Sequence, residues 1–167
     1  MKLMFNGSSF DQDISKWNVS NVTTMDNIFK GSNFNQDISN WDVSSLSGSG
    51  MNNIFHDAST FNKPLNNWNL SNLTNMHAVF LNALAFNKSL NNWNVSNVTN
   101  MSYMLYGAVE FNQPIGKWNV SNVTGMLYAF RNMDKFNQDI SQWNVSNVTD
   151  FFQTFINSSK FNQDLSH

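Results

Sequence analysis

The sequence predicts an α/β fold: a right-handed parallel solenoid of about 25-residue repeats, with one short strand and one short helix per coil. Three observations lead there. Trp17, Trp41, Trp68, Trp93, Trp118 and Trp143 recur at spacings of 24, 27, 25, 25 and 25 residues. Around each Trp the chain alternates apolar and polar residues, the period of a strand. Beyond it, apolar residues recur at i, i+3, i+4 and i+7, the stripe of a helix.

The unit from Phe86 to Ala108 carries every element in order. Trp93 and Val95 point inward and Asn94 outward, which reads as a very short strand. Ser96-Asn97-Val98-Thr99 follows as a polar corner. Met101, Met104, Leu105 and Ala108 then form the helical stripe, repeated by Met76, Val79, Phe80 and Ala83. Thr99 precedes the stripe as an N-cap, as do Thr23, Thr74, Thr124 and Thr149 in their units. The Trp, Phe and Met columns are core stacks rather than ligand cages or metal sites. Ser20, Ser44, Ser71, Ser96, Ser121 and Ser146, with the Asn beside most of them, satisfy backbone groups at a tight corner and bond to the neighbouring coil.

All 167 residues form a single repeat domain. Units start near residues 10, 34, 61, 86, 111 and 136, flanked by partial units 1–9 and 161–167. With 15 Phe, 6 Trp and 41% hydrophobic residues, the chain can bury a core despite only 12% charged residues. The net charge of −2 and scattered Lys argue against a nucleic-acid groove. The absence of cysteine excludes disulfides, thiolate metal sites and a lipid-bearing cysteine within this sequence. No apolar run reaches the length of a membrane span, and the start lacks the apolar stretch of a signal peptide.

The repeat breaks in informative places. The second unit carries two extra residues before Met51, in Gly48-Ser49-Gly50, expected to project as a loop at one edge. The first full unit is one residue short, with Gly31 at its tight point. Met1, Met4 and Phe5 fall in phase with Met25, Ile28 and Phe29, and no polar cap is evident at either end. That predicts a tendency to end-to-end self-association.

Chemistry is sparse. His56 and His77 fall at different phases, and His167 is terminal. No zinc-protease, phosphate-loop or nucleophile-elbow motif occurs. Asp13, Asp37, Asp139 and Asp164 share a phase that other units fill with Pro64, Ser89 and Pro114, which suits neither a catalytic pair nor calcium. The expectation is a non-enzymatic scaffold without cofactor or metal. A protein or glycan ligand would meet two outward columns of the strand face. One is Asn18, Asp42, Asn69, Asn94, Asn119 and Asn144; the other is Lys16, Asn40, Asn67, Asn92, Lys117 and Gln142. The alternative is a structural unit that stacks end to end.

The recurring text W-[DN]-[VT]-S-x-V-T-x-M-x-x-[MIV]-F-x-x-A-x-x-F-N-x-[DP]-[IL] resembles the repeats of BspA-like bacterial surface proteins, also described as a mycoplasma-rich domain of unknown function. The resemblance spans almost the whole chain. It implies a leucine-rich-repeat-like solenoid, display on the cell surface or secretion, and adhesion to host proteins or cells. It carries no catalytic residues.

Overall fold

The computed structural model describes residues 1–165, so His167 lies outside the described residues. Among the described residues there is no helix and no continuous strand. Isolated parallel bridges join Gly48 to Leu73, Asn75 to Asn100, Asn100 to Gly125 and Gly125 to Asp150. The predicted α/β coil of one strand and one helix is therefore overturned. The crossover rule that set its hand has no strand–helix–strand unit to act on.

What replaces the helix is a run of turns stitched to the next repeat. Within Met25–Ser32, the N–H groups of Ile28, Lys30 and Ser32 each donate to the carbonyl three residues back, at 3.0, 3.3 and 3.1 Å. The intervening N–H groups of Met25, Asn27, Phe29 and Gly31 point along the stack instead. They donate to the carbonyls of Gly50, Asn52, Ile54 and His56, at 2.7, 3.0, 3.1 and 2.7 Å. Each amide thus finds a partner, but alternate partners lie one repeat away.

This alternation needs left-handed backbone at every fourth residue, the third position of a type II turn. Asn27 and Gly31 have φ of 57° and 62°. Asn53 and Asp57, Ala78 and Asn82, Tyr103 and Gly107, Tyr128 and Asn132, and Gln153 and Asn157 repeat the pattern. An α-helix excludes such angles. The mistaken signal has a clear origin. Two successive turns bury Met25, Ile28, Phe29 and Ser32, which lie at i, i+3, i+4 and i+7. A four-residue turn period and a short helix therefore print the same apolar stripe.

The threonines before the stripe cap nothing helical. Thr99, Thr124 and Thr149 each donate both backbone N–H and hydroxyl to the equivalent Thr carbonyl of the preceding repeat, at 2.8–3.2 Å. The Trp segment keeps its predicted direction without forming a strand: Trp93 and Val95 are buried and Asn94 is exposed. Register there is set by the indole. Trp41, Trp68, Trp93, Trp118 and Trp143 donate Nε1–H to Ile14, Ile38, Leu65, Leu90 and Ile115 carbonyls, at 2.8–3.1 Å.

The core is two parallel ladders of rings. Phe29, Phe55 and Phe80 stack at 5.7 and 5.5 Å between centroids. Phe34, Phe61, Phe86 and Phe111 stack at 6.4, 6.1 and 6.0 Å. The ladders touch within each repeat, as Phe80 does Phe86 at 4.1 Å. Met25, Met51, Met76, Met101 and Met126 fill the space beside them and are buried, as expected.

The Gly48-Ser49-Gly50 insertion does not project. Gly48 donates to the Asn72 carbonyl at 3.1 Å and accepts from Thr74 and Asn75 on the next repeat. Ser47 N–H reaches the Thr23 carbonyl, and the Gly50 carbonyl receives Met25 N–H from the preceding one. Two extra residues are absorbed because each glycine supplies what a side chain would prevent. Gly48 has a φ of 57°, and a Cβ on Gly50 would lie 2.5 Å from the Thr23 carbonyl oxygen.

Met1–Gly7 forms the first layer in the phase the sequence indicates, with Phe5 N–H on the Ile28 carbonyl at 2.9 Å. Leu3 and Met4 are exposed at that end, and Phe151, Phe152, Ile156 and Leu165 at the other. A cavity of about 420 Å³ opens there, lined by Ile140, Trp143, Val145, Phe155 and Leu165 among others.

Candidate functional site

All twelve residues of the two polar columns are exposed, on either side of the Trp register. The alternation that placed them outward is correct, although no strand carries them. Their chemistry differs between columns. In the first, the Oδ1 of Asn18, Asp42, Asn69, Asn94, Asn119 and Asn144 accepts the N–H of the Ser two residues on, at 3.1–3.2 Å. This Asx turn bends the chain into the corner, so half of each amide is structural. The Nδ2 groups of Asn18, Asn69, Asn94, Asn119 and Asn144 find no partner among the described residues. Asp42 lacks that donor, and the Ser44 hydroxyl and N–H hold its carboxyl below the usual 3.8.

The second column is less committed. Asn92 donates its backbone N–H to Asn66 Oδ1 at 2.9 Å, and Gln142 Nε2 lies 3.4 Å from Ser141 Oγ. Lys16 and Lys117 extend into solvent. The neighbouring Asn72, Asn97, Asn122 and Asn147 commit their amide donors to structure. Each donates Nδ2–H to a Ser carbonyl of the preceding repeat, at 2.7–3.0 Å.

Between repeats the columns frame two clefts. One, of about 350 Å³, is lined by Asn66, Asn67, Asn69, Asn92 and Asn94 around Trp68 and Leu70. The other, of about 450 Å³, is lined by Asn91, Pro114, Gly116, Lys117, Gln138, Asp139 and Gln142. The stack thus brings together Asn67, Asn69, Asn92 and Asn94, and separately Lys117 and Gln142. It leaves Lys16, Asn18, Asn40, Asp42, Asn119 and Asn144 outside both clefts. Asn66, Pro114 and Gln138 were missed because they lie two, four and five residues before their Trp, at positions the outward alternation does not reach. Their recurring polar or proline character was the available signal.

Asp13 and Asp37 are turn-formers of the same kind. The N–H and hydroxyl of Ser15 and Ser39 hold their carboxyls below the ordinary value. No three His, Asp or Glu side chains come together among the described residues, and no helix there is long and apolar enough to cross a membrane.

Burial pushes His77 below its ordinary 6.5. Burial also lowers His56, and this outweighs the opposing pull of Asp57, whose carboxylate is 3.2 Å away. Between the folded value and 6.5 the unfolded chain binds more protons, so stability falls as pH drops through that window. Melting temperature should be level above pH 7 and decline below about 6.5. The His56→Gln/His77→Gln variant should flatten that decline, and an unchanged slope in the variant would remove the histidines as its cause.

The family model described as Mycoplasma protein of unknown function, DUF285, matches residues 1–93 and 82–167. The chain belongs to this family. The two matches together run through every repeat of the DUF285 chain, including the insertion at Gly48. No curated protein and no solved structure matches it.

Proposed function

We propose that this DUF285 chain is a non-enzymatic solenoid scaffold that binds a protein or glycan ligand, as an adhesion module displayed on the cell surface. The observation that carries the reading is the Asn67-Asn69-Asn92-Asn94 cleft. Its Asn69 and Asn94 present donor groups that folding leaves unused, on backbone fixed by Asx turns and indole bonds. Preorganised polar groups at a constant repeat spacing suit an extended ligand. The resemblance of the repeat text to BspA-like surface proteins supports display and adhesion.

The test is a binding screen against matrix proteins and glycans, with mass measured by light scattering on the same sample. The variant Lys16→Ala/Asn94→Asp/Lys117→Ala removes two cations and one amide donor while keeping the Asn94 Oδ1 that caps Ser96. Loss of saturable binding at unchanged melting temperature is expected. Retained binding would sink this surface.

A second reading, a structural unit that stacks end to end, has its own observation. The N–H groups of Phe151, Gln153, Phe155 and Asn157 and the carbonyls of Lys2, Met4 and Asn6 lack backbone partners among the described residues. One end offers donors and the other acceptors, in the register that joins neighbouring repeats. Under this reading mass grows with concentration, and Met4→Glu or Leu165→Glu restores the monomer. A monomer at all concentrations would exclude it.

A further inference from the structure

A third surface lies on the turn segments, away from the asparagine columns. All three tyrosines of the chain and its single arginine gather there. Tyr103 meets Tyr128 at 5.0 Å and Tyr106 at 6.1 Å between ring centroids. The Arg131 guanidinium sits 5.0 Å from the Tyr128 ring centre and 5.7 Å from that of Tyr106. His77 extends the group beyond Tyr103, and exposed Phe152 beyond Tyr128.

Folding does not ask for these residues. Tyr103 and Tyr128 occupy the left-handed position, with φ of 59° and 56°. Other repeats fill that position with Leu3, Asn27, Asn53, Ala78 and Gln153, so the fold sets the angle without requiring an aromatic side chain, and Asn tolerates it best. The three rings remain partly exposed rather than entering the core. Aromatic groups gathered outward at positions the fold leaves open to other side chains point to a use outside the fold.

The charge at the centre says what would cover it. Among the described residues no carboxylate pairs with Arg131. Its Nη1 donates only to the neutral Gln153 Oε1. A guanidinium framed by aromatic rings and lacking a counter-ion is matched by a carboxylate, most strongly once water is excluded. The rings meet at interplanar angles of 46° and 79° rather than as one open plane. That favours side chains inserting between ring edges over sugar rings lying flat. Tyr and Arg are also the residues on which protein interfaces concentrate their binding energy.

We propose that Tyr103, Tyr106, Tyr128 and Arg131 form a docking surface for a protein partner that presents an Asp or Glu side chain beside an apolar one. The surface stands independently of the asparagine clefts. The test pans a phage-displayed random-peptide library against the full chain. Enriched peptides should share an acidic residue flanked by an aromatic or aliphatic one. Their affinity should fall about tenfold or more in Arg131→Gln, a change of roughly 1.4 kcal/mol, and stay unchanged in Asn94→Asp. Tyr103→Asn/Tyr128→Asn should abolish binding while the melting temperature holds or rises, since Asn suits the left-handed position.

Several results would overturn the proposal. One is the absence of enrichment; another is enrichment without acidic residues. Indifference to Arg131→Gln is a third. A fall in melting temperature in the tyrosine variant with peptide binding retained would assign the cluster to packing. Arg131-dependent binding of uronic-acid glycans without any peptide hit would assign the surface to a different ligand class.

Discussion

Phe80→Ala will destabilise the chain by about 3–5 kcal/mol, as large-to-small changes at fully buried aromatic positions do. Phe80 is completely buried. Its ring stacks on Phe55 at 5.5 Å, on Phe86 at 4.1 Å and beside Trp93 at 5.9 Å, so one truncation shortens its own ladder and strips a contact from the other. The geometry leaves little scope for collapse. Phe80 N–H is held by the Met104 carbonyl at 2.8 Å, and its own carbonyl receives Ala83 N–H. The backbone on either side therefore cannot close the gap without breaking bonds to the neighbouring repeat. In a stack where each repeat touches mainly its neighbours, loss at a middle layer also weakens coupling between the two halves. Urea unfolding should show a large fall in midpoint, with the transition broadening if the halves separate. Phe152→Ala, at an exposed ring, should stay within about 0.5 kcal/mol. A loss below about 1 kcal/mol at Phe80 would mean that the layers repack far more freely than organic-crystal density allows.

Much of this architecture is legible in the sequence, and the failures have physical causes. The repeat phase is legible because Trp, Phe and Met must fall in columns for the layers to register. The outward direction of Asn94 and its equivalents is legible because Trp93 and Val95 alternate around it. The α/β reading failed at Met101–Ala108 because consecutive turns bury the same positions as a helix. The contrary signal was present: Asn27 and Gly31, or Asn53 and Asp57, sit four residues apart at places where a helix interior disfavours them. That spacing is the mark of recurrent left-handed backbone. The clefts were only half legible, since pairing Asn67 and Asn69 with Asn92 and Asn94 requires the repeat offset that the indole bonds set. The tyrosine cluster was hidden because Tyr106 lies at a different phase from Tyr103 and Tyr128. Only the stacking of neighbouring layers brings the three together.

Gly50→Ala should cost about 2–3 kcal/mol, at the upper range for overpacking, whereas Gly48→Asn should be nearly silent. The two glycines lie in the same insertion and differ in what surrounds them. At Gly50 an added Cβ would stand 2.5 Å from the Thr23 carbonyl oxygen, 3.0 Å from that of Ser47 and 3.3 Å from Thr24 Cα. All three are backbone atoms, so no side chain can swing away. Relief requires the layer of Gly50 to lift from the layer of Met25, and Gly50 itself holds that junction through Met25 N–H at 2.7 Å. At Gly48 nothing lies within 4 Å of the added atom, and the constraint is the φ of 57° alone. Asn accepts that angle, as Asn53 does at 55° a few residues on. Gly48→Val, whose branched side chain resists positive φ, should fall between the two. A projecting loop would tolerate all three substitutions alike. The expected order is Gly50→Ala most costly, then Gly48→Val, then Gly48→Asn, read as thermal midpoints of the single variants. It holds only if the insertion is clamped between layers, and equal midpoints would return it to a free loop.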